Sequence, residues 1–507
     1  MVGMKYFVVF IYVCIMVAIG FVSMKKTKNV NDFFLGGRSI GPWVSAFAYG
    51  TTYFSAVLFI GYAGKLGWGL GISVVWIALG NAVVGAYLAW AILAKPTRSM
   101  TARMGALTMP AFLEKRYDSK PMKVVSALII FIFLVPYSAS VYLGLSYLFE
   151  SVFNIPFMTA LLFIACLTAV YMTMGGYFAI TLSDSIQGII MIGGVIVMLF
   201  YIVHDPHVGG LSAGLSKLAS YDSRLVGPVG PAGPVQLISM VTLTSLGAWG
   251  LPQMVQKFYS IESEDAIPKA KIVCAVFSLV ISFGAYFTGS LGRLFFNNQM
   301  PAPGGVPNPD MIMPQIITQA LPEAMAAIIL LMVLAASMST LASLVLVSSS
   351  AIAIDLVQDT LCPNISKKAN MLLMRVLCLV FIGLSVYLAI KPTVILNLMS
   401  ISWGTVAGAF LAPYVYGLFS KKITRSGAWA GIISGVGISM GLSIFYGFTG
   451  SQIPVIGSIA IVAPLLIVPV VSAVTQKFPQ EHLEKVFGEE VWETKKLKLK
   501  ELPLSDG

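Results

Sequence analysis

Seven hydroxyl side chains lie in Leu330–Leu356, LLMVLAASMSTLASLVLVSSSAIAIDL, a stretch otherwise apolar enough to sit in a bilayer. They are Ser337, Ser339, Thr340, Ser343, Ser348, Ser349 and Ser350. At 3.6 residues per turn, Ala336, Ser339, Thr340 and Ser343 share one helical face. Hydroxyls facing lipid gain no partner, so this face is expected to look inward. Two kinds of chemistry fit it. Small residues let helices approach closely, with Ser and Thr bonding back to their own i−4 carbonyls. Alternatively, the stripe supplies hard oxygen ligands to an alkali cation, and carbonyls of an interrupted helix complete the shell.

Three other stretches carry chemistry of the same kind. Asp184, in ITLSDSIQGIIMIGG, sits roughly two turns into an apolar run. A carboxylate at membrane depth is costly and marks a functional site by default; a structural Asp accepting from Ser183, Ser185 or backbone amides is the alternative. Gly50-Thr51-Thr52-Tyr53-Phe54-Ser55 mixes a helix-weakening Gly with β-branched hydroxyl residues. There a helix can unwind and turn carbonyl oxygens toward an ion or solute, unless it stays intact with a Gly contact and back-bonded threonines. Ser245-Leu246-Gly247-Ala248-Trp249-Gly250-Leu251-Pro252 is a second Gly/Pro-interrupted apolar segment.

The elements that must position these residues follow from composition. The chain has 507 residues, 57% hydrophobic and 10% charged, with a mean hydropathy of +0.87. Those values exclude a water-soluble domain and indicate a polytopic α-helical membrane protein. At about 20 apolar residues per crossing, thirteen spans are expected near residues 5–23, 42–69, 72–94, 124–149, 155–173, 177–203, 234–256, 271–295, 322–355, 371–390, 393–418, 427–447 and 454–474. The first lacks a small-residue cleavage site and is followed by Lys25, Lys26 and Lys28, so it is expected to be a retained helix rather than a signal peptide.

An odd number of spans puts the termini on opposite sides. With the N-terminus outside, 26 of the 32 Lys and Arg fall on inner segments, which favours N-out, C-in. The net charge of +11 is then a matter of topology and gives no support to a nucleic-acid partner. Cys14, Cys166, Cys274 and Cys378 lie in spans and Cys362 in an inner loop, so no disulfide framework is implied. His204, His207 and His482 all lie outside the spans. A membrane-embedded enzyme would need them, or paired carboxylates, inside.

The two interrupted segments are spans 2 and 7, five apart. They suggest two five-helix halves of opposite orientation, residues 42–203 and 234–418. Around these lie a flanking helix (1–23), peripheral spans 12 and 13 (427–474) and a cytoplasmic tail (475–507), too short for an output domain. Gly36, Gly37, Gly41 and Pro42 are expected to stop one helix and start the next. Met109–Glu114 reads as a short interfacial amphipathic helix with solvated charges. Pro136-Tyr137 marks a kink, Met174–Tyr177 a tight inner turn, and Asp205–Pro234 an outer loop too rich in Gly and Pro for regular structure. NNQMPAPGGVPNPD is expected to cap the outer mouth.

The FFLGGRS segment, the broken second span with Ser55, GGYFAITLSDSIQG, GLPQMVQKF and AASMSTLASLVLVSSSAIAIDL occur in an order and spacing that resemble the sodium/solute symporters. That family includes bacterial proline, pantothenate, sugar and sialic-acid carriers. The similarity covers essentially the whole chain and is greater to the proline-carrier branch than to the sugar branch. It implies an all-α polytopic membrane protein of about thirteen transmembrane helices with a five-plus-five inverted-repeat, LeuT-like core in the plasma (inner) membrane. It also implies sodium-coupled import, by alternating access, of a small organic solute, an amino acid or small monocarboxylate.

Carried over residue by residue, the resemblance places one Na+ between spans 2 and 9, held by the carbonyls of Thr51, Phe54 and Ala336 and the hydroxyls of Ser339 and Thr340. Some relatives hold a second sodium with the acidic residue of span 6 and hydroxyls of span 9. Asp184, Ser339 and Ser343 match that pattern, but Ala342 stands where those relatives have a hydroxyl. The solute pocket is expected at Ser55, Tyr137, Ala248, Trp249 and Trp403. Ala248 replaces an aromatic of the proline carriers, which weakens proline as the specific solute. The rival expectations are a sodium-coupled sugar or sialic-acid symporter, a proton-coupled carrier using Asp184, and a transporter-like sensor. The expected partners are a small-molecule solute and the lipid bilayer, with no nucleic acid and no obligate protein partner.

Overall fold

A computed structural model of the chain describes residues 3–24, 38–391 and 393–488. The FFLGG part of the expected motif, with its two glycines, Lys25, Lys26 and Lys28, and the tail after Gly488 lie outside the described residues. The described backbone is helical apart from connections and one isolated bridge between Ile40 and Ile261. Among the described residues, ten helices are long and apolar enough to cross a membrane, eleven if the bent pair Gly233–Gly250 and Pro252–Ser260 counts as one span. The run Val57–Met104 turns at Gly71, and the shorter apolar helix Phe157–Thr173 adds a segment. Each of the thirteen expected spans thus has a helical counterpart.

Burial separates centre from periphery. The most apolar windows of Glu323–Leu361 (span 9) and Ile395–Phe419 (span 11) are 89% and 100% buried, against 28% for both Lys5–Ser23 and Lys367–Ala389. The outermost helices turn Phe7, Phe10, Leu372 and Tyr387 outward, as a lipid-facing surface requires.

Span 2 is broken where its composition predicts. Helix Pro42–Tyr53 ends at Phe54, whose backbone is extended (φ −114°, ψ 125°), and a helix resumes at Val57. The resumed helix ends at Gly71, with φ +60°. A Cβ there would meet the Leu225 carbonyl oxygen at 2.1 Å, so only glycine makes the turn into span 3. Span 7 breaks at Leu251, where the two halves bend by 47°. Pro252 forces its predecessor out of the helical region and then opens the next helix at its first position.

The helix assignment runs unbroken from Phe157 to His204, yet Tyr171 and Ser183 share a hydrogen bond of 2.7 Å between hydroxyls. On a straight helix those residues stand about 18 Å apart along the axis, beyond the reach of their side chains. The chain therefore turns back between them.

Two expectations are corrected. The outer loop is not devoid of regular structure: Leu211–Tyr221 is helical and buries Leu218, leaving the irregular part to the Gly/Pro run at 227–232. The helix Met109–Tyr117, capped by Thr108, does not keep all its charges in solvent. Arg116 is fully buried and donates to the carbonyls of Gly417 (2.9 Å) and Ser420 (2.7 Å). It thus satisfies carbonyls that the end of span 11 leaves without helical partners.

Candidate cation and solute site

The break in span 2 redirects its amides. Leu58 N bonds to the carbonyl of Ser55 rather than that of Phe54. Ala56 N takes the Ser337 hydroxyl at 3.0 Å and Val57 N the Ser55 hydroxyl at 3.2 Å. In a continuous helix those amides would occupy the carbonyls of Phe54, Thr52 and Tyr53. Those oxygens are free to turn elsewhere.

Span 9 meets them with its hydroxyl stripe, which faces inward as expected. Thr340 Oγ1 lies 3.1 Å from the Thr52 carbonyl, 3.3 Å from that of Thr51 and 3.2 Å from that of Ala336. One hydroxyl has one proton to donate, so three carbonyl oxygens crowd around a group that can satisfy one of them. Ser339 Oγ stands 3.0 Å from Thr51 Oγ1 and donates to Asp184 Oδ1 at 2.6 Å. Thr51, Ser339, Thr340 and Asp184 are all buried. Such a cluster of neutral oxygens, with one carboxylate reached through a hydroxyl, has the chemistry of a site for a hard monovalent cation. Of the residues expected at a sodium site, Thr51, Ala336, Ser339 and Thr340 converge directly, and Phe54 stands at the break that frees its carbonyl.

Asp184 and Ser343 are also brought to this place. Ser343 Oγ pairs with Thr52 Oγ1 at 3.1 Å and accepts from Lys257 Nζ at 3.3 Å. Lys257 Nζ lies 3.9 Å from Asp184 Oδ2 and 5.2 Å from the centre of the Tyr177 ring. Sequence reasoning missed Lys257. It ended span 7 one residue earlier and counted this lysine with the solvated inner charges, whereas the helix runs to Ser260 and buries it completely. The available signal was its place in the second half of a broken membrane helix.

A small cavity of about 20 Å³ lies beside the break, lined among others by Ser55, Tyr53, Asn81, Thr244, Tyr286 and Trp403. It holds little more than one water, so a solute needs it to widen. Ser55 and Trp403 therefore line it as expected, and Tyr137 stands edge-on to Trp403 with ring centres 5.8 Å apart. Ala248 is buried in the turn Gly247–Gly250 and does not line the cavity. Trp249 does not line it either; its Nε1 donates to the Val84 carbonyl on span 3 at 2.8 Å. Asn81 was not foreseen, yet its Oδ1 accepts from Thr244 (2.9 Å), Ser245 (3.0 Å) and Tyr53 (3.3 Å), joining spans 2, 3 and 7.

An apolar helical bundle with two broken helices, freed carbonyls and a hydroxyl stripe meeting at its centre defines a cation-coupled secondary transporter. The sequence pattern of the Sodium:solute symporter family matches residues 33–435, and the chain belongs to that family.

Among its relatives, the sodium/proline symporter of Escherichia coli (strain K12) is 32% identical over 92% of this chain and 94% of its own length. That of Salmonella typhimurium is 31% identical over 84% and 85%. The osmoregulated proline transporter OpuE of Bacillus subtilis (strain 168) is 30% identical over 84% and 86%.

A solved sodium-coupled sialic acid symporter superposes with a TM-score of 0.76 over 94% of this chain and 98% of that one, at 20% identity. A nucleobase-cation-symport-1 family transporter in a closed conformation gives 0.50 over 90% and 97%, at 14% identity. The fold is the LeuT-like arrangement of membrane helices. The chain is a multi-pass membrane protein and a sodium-coupled symporter of a small organic solute, not an enzyme.

Proposed function

We propose that this symporter imports a small amino acid, with proline the first to test, across the plasma membrane, with its N-terminus outside and C-terminus in the cytoplasm. The carrying observation is the meeting of Thr340 with the released carbonyls of span 2. Sodium bound by the carbonyls of Thr51, Phe54 and Ala336 and the hydroxyls of Ser339 and Thr340 ties span 9 to the broken span. Sodium binding then favours the outward-open, solute-competent arrangement, and solute binding permits closure. On the inner side, where sodium is low, the ion leaves and the solute follows; the membrane potential contributes about 2.3 kcal/mol per charge per 100 mV. The core halves are taken as residues 42–203 and 234–418.

An amino acid suits the pocket for two reasons. Hydroxyls, an amide and aromatic rings line it, with no basic side chain among the described lining residues. Beside it, the amides of Ala56 and Val57 at the start of the resumed helix bond, among the described residues, to the hydroxyls of Ser337 and Ser55. A carboxylate is the stronger acceptor for such amides and displaces them. Sequence similarity to proline carriers supports proline; Ala248, buried in Gly247–Gly250, does not line the cavity.

The test is the thermal stability of the purified protein in sodium and in potassium at equal ionic strength, across amino acids, monocarboxylates and sugars. A ligand that binds only the native state raises the midpoint by mass action. Stabilisation by proline in sodium but not potassium is the expected outcome. A sugar acting instead moves the solute assignment to that class. Indifference to the cation combined with dependence on pH overturns the placement of sodium and favours a carrier that protonates Asp184.

A further inference from the structure

The position expected of a second sodium is already provided with a cation. Of its three matching residues, Asp184 and Ser343 both face the ammonium group of Lys257, at 3.9 Å from Oδ2 and 3.3 Å from Oγ. Ser339 spends its proton on the other oxygen of Asp184. Lys257 is completely buried, and Asp184 Oδ2 has no hydrogen bond among the described residues. The ammonium is therefore the nearest counter-charge that the carboxylate has. A charge buried at this depth persists only when paired, and a sodium ion brought to Asp184 would lie against a like charge, both groups being buried. Lys257 also belongs to the half-helix Pro252–Ser260, so the cation is tied to span 7 and cannot leave with the cargo.

We propose that Lys257 is the resident cation of the second-ion position, so that the transporter binds one sodium per chain and couples one sodium to each solute. The charge-compensated arrangement joins spans 6, 7 and 9 and leaves the site of Thr51, Phe54, Ala336, Ser339 and Thr340 as the place, among the described residues, where sodium exchanges. This inference rests on the sodium-symport mechanism above.

The experiment is equilibrium binding of radioactive sodium to the purified full chain without solute, so that it does not depend on which solute is carried. The parent is expected to bind one sodium per chain with a Hill coefficient near one. Lys257→Gln removes the resident charge and is expected to raise the count to two, and Asp184→Asn added to Lys257→Gln to return it to one. Lys257→Arg keeps the charge and is expected to stay at one. Two sodium ions on the parent overturn the proposal without need of any variant, as does a folded Lys257→Gln protein with the parent's count and affinity. A parent that binds no sodium overturns the sodium mechanism itself, a result distinct from either. If Lys257→Gln does not fold, Lys257→Met removes the same charge and is read in the same way, a count of two upholding the proposal and the parent's count and affinity sinking it, while a count of two in Lys257→Arg sinks it as well.

Discussion

Thr340 shows how much a single hydroxyl can organise. It sits among three carbonyls that belong to two different helices, and replacing it with alanine removes both a proposed sodium ligand and the group that holds those oxygens together. Thr340→Ala is expected to weaken sodium binding about tenfold or more, the loss of one good polar contact at roughly 1.4 kcal/mol. Ser339→Ala should act in the same direction. A sodium titration followed by thermal shift reads both; unchanged sodium affinity would show the stripe to be packing alone.

Asp310 is a second residue whose setting predicts a measurement. It lies in the outer segment before span 9, buried, with Oδ2 accepting from Ile395 N at 3.0 Å. Burial pushes its carboxyl from the ordinary 3.8 up to about 6, while the Ile395 amide and Lys65 pull it back. Between about pH 4 and 6 the native state keeps a proton that the unfolded chain has released, so this group's contribution to stability falls as pH rises through that window, by on the order of 2–3 kcal/mol. Asp310→Asn abolishes the titration. Relative to the parent, the variant is expected to gain stability from pH 4 to 7, and parallel pH profiles of the two midpoints would refute it.

At the scale of elements, the broken helices need close support, and the resumed half of span 2 finds it on span 8. A Cβ at Gly289 would lie 1.9 Å from the Ala63 carbonyl oxygen, and one at Gly67 2.2 Å from the Gly289 carbonyl carbon. Two backbones cannot separate to admit a methyl without moving a whole helix. Gly289→Ala is therefore expected to destabilise by about 1–3 kcal/mol, in the range of overpacked sites, and to shift the half-helix that borders the solute cavity. Lowered thermal midpoint together with altered solute affinity is the expected pair of results. A glycine to alanine change that left both intact would mean that the two helices yield easily.

For the molecule as a whole, orientation is the property with the plainest test. Cys362 is exposed between spans 9 and 10, on the side assigned to the cytoplasm by the Lys and Arg distribution. Cys274 and Cys378 are buried, and Cys14 and Cys166, though exposed, lie on helices that face lipid. A membrane-impermeant maleimide should label the protein through Cys362 in inside-out vesicles and leave it unlabelled in right-side-out ones, with Cys362→Ser removing the signal. Labelling from the outer side instead would invert the proposed topology.

The sequence by itself determined what local physics decides. Runs of apolar residues placed the helices, because each crossing must satisfy its own backbone. Gly and Pro placed the interruptions near Phe54 and Leu251, and the spacing of Ser339, Thr340 and Ser343 put them on one face, because helical geometry allows nothing else. Tertiary structure alone decided which groups meet across the bundle. Lys257 is remote in sequence from both Asp184 and Ser343, and its place in a broken membrane helix marks it as unusual without naming the carboxylate or hydroxyl it faces. Asn81 on span 3 gathers donors from two other helices, spans 2 and 7, and the direction of Trp249 is set by a carbonyl on span 3. Such partnerships depend on how the two broken helices are packed against their neighbours. That packing is a property of the assembled bundle, where an unpaired charge or carbonyl has no water to turn to.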